Sequence, residues 1–259
     1  MFTKDRRKAI QELLMENRQI NVSRLSTQFG VSEVTIRKDL EYLESIGFLI
    51  RTHGGAVLKD AASPTGFSIN TGSRYAENIS KIAASLVNDG DVIYLGSDVF
   101  GTSIAPLLSE KHQLTVVTNN MLAAVILADY PHIQTIIPGG ILTKEDSCSY
   151  TSGNDVTAYL SKLVYDKTII GVDVINKTRG FLMRNSDRCA IYKTVLSNTS
   201  QKIICVNEDA FDKNALFQLA PLDQVDLVVS SGNLPEEYIE YFINNSIRVY
   251  SSYDLESIH

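Results

Sequence analysis

The chain has 259 residues, 44% of them hydrophobic and 21% charged, with no tryptophan and a formal net charge of −6. That length leaves room for a small domain and a larger one, and no apolar run approaches the ~20 residues that cross a bilayer, so no membrane span is expected. Cys148, Cys189 and Cys205, like His53, His112, His132 and His259, are too dispersed for a metal site or a redox pair, so reduced thiols, no metal and no cofactor are expected.

Charge is uneven along the chain. Up to Leu58 nine basic residues meet seven acidic ones, a balance of +2 that leaves −8 for the remainder. A basic head on an acidic body can bind nucleic acid through the head while the body stays off the phosphates. The N-terminal stretch Met1-Phe2-Thr3-Lys4-Asp5-Arg6-Arg7-Lys8 lacks the apolar core of an export signal, so a cytoplasmic location is expected.

Ala9, Ile10, Leu13 and Leu14 recur at helical spacing and predict a first amphipathic helix over Asp5 to Asn17. Asn21 suits the N-cap of a second, short helix through Phe29, which Gly30 ends by tolerating a left-handed conformation. Ser32 caps a third. Two short helices around the Gly30-Val31 turn meet the requirement of a helix-turn-helix, whose turn sets the second helix across the first.

At ~100° per residue, Ile36, Leu40 and Leu43 share one face of the third helix and Val34, Lys38 and Glu41 lie nearly opposite. Val34, Thr35 and Lys38 therefore offer methyl, hydroxyl and cation to base edges in double-stranded DNA, while Arg37 lies to the side, toward a phosphate. The Ser32 cap presents helix N-terminal N–H groups to another phosphate. Phe48 to Leu58 reads as two short strands around a glycine turn, a wing with Arg51 and His53 near its tip, within reach of a backbone or minor groove. Arg7 completes the expected DNA contacts.

Arg6-Arg7 with its Ile/Leu helix, Phe29-Gly30-Val31-Ser32, Thr35-Ile36-Arg37-Lys38-Asp39-Leu40, Leu43-Glu44, Gly47 and Arg51-Thr52-His53-Gly54-Gly55-Ala56 together closely resemble the DeoR family of bacterial transcription regulators. The resemblance covers residues 1–58 and implies a winged helix-turn-helix. Many relatives carry a second arginine where Lys38 stands, and lysine keeps the charge without the bidentate fork.

Residues 59–73, rich in small and polar side chains, read as a linker. From Arg74 to His259, helical stretches alternate with seven apolar runs: Val92–Leu95, Leu114–Val117, Ile133–Ile137, Thr168–Val172, Ile203–Val206, Leu227–Val229 and Ile247–Tyr250. Such alternation predicts an α/β domain with a largely parallel sheet. Ligands collect beyond the C-terminal ends of such strands. The candidate loops carry Gly96, Ser97, Asp98, Gly101, Thr102 and Ser103; Thr118 and Asn119; Gly139 and Gly140; Gly171 and Asp173; and a helix with Arg188 and Lys193.

To about Pro235 this body resembles the DeoR sensor domain, itself similar to ribose-5-phosphate isomerase, through Gly90-Asp91, Thr118-Asn119, Gly139-Gly140, Ser152-Gly153, Gly171, Gly180, Ala190 and Lys193. The resemblance implies sensing of phosphorylated sugars or related metabolites, and a homo-oligomer, dimer or tetramer. Where relatives carry a phosphate-cradling Gly-Thr-Thr-Thr, this chain has Asp98-Val99-Phe100-Gly101; where they often have Asp-Ser-Ser-Lys, it has Asn207-Glu208-Asp209-Ala210. Both changes remove positive potential, so either a less charged sugar or polyol binds, or phosphate is held by Ser97, Thr102, Ser103, Arg188 and Lys193. The expected function is a DNA-binding repressor of a carbohydrate operon, modulated by such an effector. Two alternatives remain: an isomerase-type enzyme using Asp98, Asp173 and Lys193, which lacks a compact catalytic group, and a regulator whose body only oligomerises.

Overall fold

A computed structural model describes residues 3–17, 19–45, 48–52, 54–58, 74–145, 148–230, 232 and 234–251. The chain divides into two compact units, Met1–Ile69 and Asn70–His259. The expected linker, 59–73, and His53 lie outside the described residues.

The first unit runs α1 (Thr3–Asn17), β1 (Gln19–Asn21), α2 (Val22–Phe29), α3 (Glu33–Ser45), β2 (Leu49–Thr52) and β3 (Gly55–Leu58). Asn21 caps α2, its side-chain oxygen accepting the N–H groups of Ser23 at 2.9 Å and Arg24 at 3.3 Å. Gly30 ends the helix at φ +62°, a conformation that costs glycine nothing. Ile10, Leu14, Val22, Leu25, Ile36, Leu40 and Leu43 from the three helices close on Leu49 and Ala56 of the wing strands. Burial of such side chains contributes about 1.5–3 kcal/mol each before chain entropy is counted.

One strand goes beyond expectation. β1 pairs antiparallel with β3 (Ile20 opposite Ala56), making the wing a three-stranded sheet in the order β1-β3-β2. Gly55 permits this approach, because a Cβ there would fall 2.1 Å from the Ile20 carbonyl oxygen.

The second unit runs α4 (Arg74–Ser85), β4 (Val92–Leu95), α5 (Val99–Ile104), β5 (Thr115–Thr118), α6 (Met121–Ala128), β6 (Gln134–Ile136), β7 (Ile141–Glu145), β8 (Cys148–Ser152), α7 (Asn154–Leu160), β9 (Tyr165–Gly171), β10 (Val174–Asn176), β11 (Gly180–Met183), α8 (Ser186–Ser197), β12 (Thr199–Val206), β13 (Phe217–Ala220), β14 (Leu227–Ser230), α9 (Glu236–Asn244) and β15 (Arg248–Tyr250). The seven expected apolar runs form one seven-stranded sheet, ordered β15-β14-β12-β9-β4-β5-β6, with every neighbouring pair parallel. Side chains alternate across it. Ile93, Leu95, Val116, Ile169, Ile203 and Val229 pack with α4, α5 and α6 on one face. Tyr94, Val117, Ile170, Ile204 and Val228 pack with α7, α8 and α9 on the other. A sheet buried on both faces explains why its strands read as unbroken apolar runs.

Two smaller sheets escaped the sequence reading. β7 and β8 form an antiparallel hairpin, and β10, β11 and β13 an antiparallel sheet. Their short mixed segments, such as Ile141-Leu142-Thr143-Lys144-Glu145, carry no long apolar signature.

Candidate functional site

On α3 the expected inner face is in place: Ile36, Leu40 and Leu43 are buried. Val34 is 64% exposed on the opposite side, with Lys38 and Glu41 also exposed. Ser32 accepts the Thr35 N–H at 3.2 Å, and the two hydroxyls lie 2.9 Å apart, which orders the N-terminal turn. Lys38 has no hydrogen-bond or ion-pair partner among the described residues. Arg37 pairs with Glu33 one turn back at 3.1 Å on an exposed surface. Glu33 is held below the usual carboxylate range, first by the Ser23 hydroxyl at 2.5 Å and then by Arg37.

Three other basic residues of this unit, Arg6, Arg7 and Arg51, are tied to carboxylates. Asp39, 2% exposed, accepts Arg6 Nε at 2.6 Å and Arg7 Nε at 2.8 Å, and the Arg7 guanidinium lies 3.8 Å above the Tyr42 ring. Arg7 thereby joins α1 to α3. Arg51 is clasped by Glu44 at 2.7 Å and Glu41 at 2.9 Å, and its backbone N–H reaches the second Glu44 oxygen at 3.0 Å. That backbone bond, followed by the guanidinium, keeps Glu44 ionised below the usual range.

In the second unit the chain steps outward from β4 through β5 to β6, then returns to β9 on the other side of β4 and continues outward to β15. The direction of winding reverses between β4 and β9, where a crevice for ligands is expected beyond the strand ends. Asp98 fills that point. Its Oδ1 accepts the N–H of Phe100 at 2.9 Å and of Gly101 at 3.3 Å, and its Oδ2 accepts the N–H of Gly171 at 2.8 Å and the Tyr192 hydroxyl at 2.8 Å.

Both oxygens of Asp98, an expected effector contact, are thus engaged by the chain's own donors. The carboxylate caps α5 and consumes donors that an anion would otherwise use. Gly171 makes room for it, since a Cβ there would fall 2.6 Å from the Phe100 ring and 2.9 Å from Asp98 Cγ. Burial, then the charge of Asp98, pushes the Tyr192 hydroxyl well up from its ordinary range.

The adjoining loops are also knitted together. The Ser97 N–H donates to Tyr192 at 2.9 Å, and Thr118 donates to the Leu95 carbonyl at 2.8 Å. Asn119 accepts the Tyr94 hydroxyl at 2.6 Å and donates to the Thr151 carbonyl at 2.8 Å. The Asn120 amide bridges Asp98 O at 3.1 Å and Thr102 Oγ1 at 3.0 Å. Ser103 is buried on α5. Gly96 and Gly101 pack around the Asp98 turn, where a Cβ on Gly101 would fall 1.9 Å from Gly96 O. Gly139 and Gly140 are exposed, after a Pro138 carbonyl that accepts the Thr151 hydroxyl at 2.9 Å. Asp173 accepts the Arg184 N–H at 2.7 Å.

Arg188 and Lys193 part company. Five residues along a helix turn the side chain by ~140°, so Lys193 is exposed while Arg188 is 9% exposed. Arg188 Nη2 meets Glu145 Oε2 at 2.9 Å, and its guanidinium lies 5.9 Å from the Tyr150 ring centre. Burial pulls its pKa down, but Tyr192, Asp98, Glu145 and Asp173 outweigh that and hold it above the ordinary value. Tyr192 and Glu145 were missed. Tyr192 was legible, being one turn from Arg188; Glu145 was not, because the hairpin that carries it was unread.

The DeoR-like helix-turn-helix domain matches residues 6–62, and the DeoR C-terminal sensor domain matches residues 73–232. The HTH-type transcriptional repressor GlcR of Bacillus subtilis is 30% identical, across 92% of this chain and 91% of that protein. The lactose phosphotransferase system repressor of Lactococcus lactis is 28% identical, with 93% and 96% covered, and the glycerol-3-phosphate regulon repressor of Escherichia coli is 23% identical, with 94% and 97% covered. Among solved structures, ribose 5-phosphate isomerase A of Methanocaldococcus jannaschii is similar at 18% identity and a TM-score of 0.39, over 52% of this chain and 53% of that one. The chain belongs to the DeoR family and is a regulator of transcription rather than an enzyme, with a helix-turn-helix unit ahead of a DeoR-type sensor domain.

Proposed function

We propose that the protein represses a carbohydrate operon in the cytoplasm by laying α3 in the major groove of operator DNA, with heads paired through an oligomeric body. Val34, Thr35 and Lys38 read base edges; Arg37 and the N–H groups behind Ser32 hold phosphates. His53, with Arg51 once it leaves its carboxylates, extends the contact along the wing, and Arg7 steadies α1 beneath α3. The observation that carries this reading is Lys38, exposed beside Val34 and without a partner among the described residues, on a helix whose opposite face is buried. A small carbohydrate derivative in the crevice beyond β4 and β9 changes the affinity for DNA by binding the two states of the body unequally.

Selection of genomic fragments by the full-length protein, followed by anisotropy titration with sugars and sugar phosphates, tests this. The expected result is enrichment of fragments with two half-sites and their release by a carbohydrate. Recovery of no fragment above scrambled DNA overturns it. A second reading, in which the body only assembles the heads, draws on the internal carboxylate of Asp98 and expects sequence-specific binding that no carbohydrate alters.

A further inference from the structure

The Arg188–Glu145 pair uses the arginine incompletely. Nε and Nη2 form one edge of the guanidinium, the edge that docks a carboxylate or phosphate through two parallel hydrogen bonds. Glu145 occupies only Nη2, and the buried Nε has no hydrogen-bond partner among the described residues. The two partners are also unequal in freedom. The Arg188 side chain is 11% exposed within α8, whereas that of Glu145 is 28% exposed at the end of β7, its other contact being the Tyr150 hydroxyl at 3.3 Å. Glu145 can turn to water, but the cation cannot follow, and a buried cation that loses its ion-pair partner is costly. The place vacated therefore calls for another anion.

We propose that the Nε/Nη2 edge of Arg188 is an oxyanion subsite, and that Glu145 is its intramolecular stand-in. A carbohydrate-sized ligand bearing a carboxylate or a phosphate takes both nitrogens and displaces Glu145. Asp98 is no competitor, since its oxygens are already satisfied by three N–H groups and Tyr192. Displacement also unfastens the hairpin at one end only. Glu145 sits opposite Cys148 near the turn, while Tyr150 and Thr151 stay joined to Asn120 and Asn119. Occupancy is thus converted into release of the β7–β8 end, a regulation that rests on reading the body as a sensor.

Calorimetric titration of the full-length protein with gluconate, inorganic phosphate and uncharged sorbitol at constant ionic strength tests the subsite. Glu145→Gln is expected to bind gluconate or phosphate about tenfold more tightly than the parent, because the competing charge is gone. Arg188→Gln should bind neither, and Arg188→Lys, a cation without the fork, should bind more weakly than the parent. Sorbitol should not distinguish the variants. Gluconate against phosphate identifies the headgroup.

If Arg188→Gln does not fold, the comparison of Arg188→Lys with Glu145→Gln decides. Equal anion affinity in parent and Glu145→Gln, undiminished binding by Arg188→Lys, or binding of neither anion by any variant overturns the proposal. Tighter anion binding in Glu145→Gln with no change in DNA affinity keeps the subsite and refutes the sensor reading. A carbohydrate effect on DNA affinity that is identical in Glu145→Gln and parent keeps the sensor and refutes the subsite.

Discussion

The Tyr192 hydroxyl donates to Asp98 Oδ2 at 2.8 Å, tying the turn after β4 to α8 inside the unit. With Phe100, Gly101 and Gly171 as further donors, the carboxylate is a buried hub. Asp98→Asn replaces an acceptor-only group by one whose NH₂ must face a donor. We expect the second unit to lose about 2 kcal/mol or more in urea unfolding, since a buried donor loses its partner. A loss within ~0.5 kcal/mol, the range of a neutral surface change, contradicts the hub.

Buried tyrosines of the same unit predict a response to alkali. Burial first, then Glu145, raises Tyr150 to about 12 from its ordinary value of 10.0, and Tyr94 and Tyr192 move the same way through burial. The fold prefers the neutral phenol, so this stability is complete below pH 10.0, where an unfolded tyrosine keeps its proton, and falls as pH climbs toward 12. Tyrosinate absorbance recorded with urea unfolding checks it. Ionisation of all twelve tyrosines near their ordinary value without loss of stability would contradict it.

Asp39 holds Arg6 and Arg7 together in the first unit. Asp39→Ala leaves Arg6 buried without that partner, a change expected to cost about 3 kcal/mol or more. Hydrogen exchange should show faster opening of α1 and α3 with α8 unchanged. Equal protection in both proteins would mean the pair contributes nothing.

Arg51 is masked by Glu41 and Glu44. Replacing both by glutamine releases a cation beside the proposed DNA face. Affinity for DNA of any sequence should rise, and the log–log salt dependence should steepen by about 1, one further phosphate contact. An unchanged slope places Arg51 away from the backbone.

Much of this was legible in the sequence, for identifiable reasons. Ile36, Leu40 and Leu43 report the inner face of α3 because one helical stripe is buried, and the seven apolar runs report the parallel sheet because both its faces are covered. β1 was not legible, since Gln19-Ile20-Asn21 is a strand only by pairing with β3. The role of Asp98 depends on Gly171 and Tyr192, 73 and 94 residues away, which no local pattern reveals. Lys193, on the same helix as Arg188, is exposed where Arg188 is buried, a difference that the ~140° between them explains.

The central claim is that α3 reads base sequence. It is tested most directly by the dissociation constants of parent and Lys38→Ala for a selected operator and for scrambled DNA, with Arg37→Ala beside them. Lys38→Ala should lose about 1–3 kcal/mol on the operator and little on scrambled DNA, whereas Arg37→Ala should weaken both alike and make the salt slope shallower by about 1. If Lys38→Ala binds operator and scrambled DNA as the parent does, Lys38 is not a reading residue and the assignment of α3 fails.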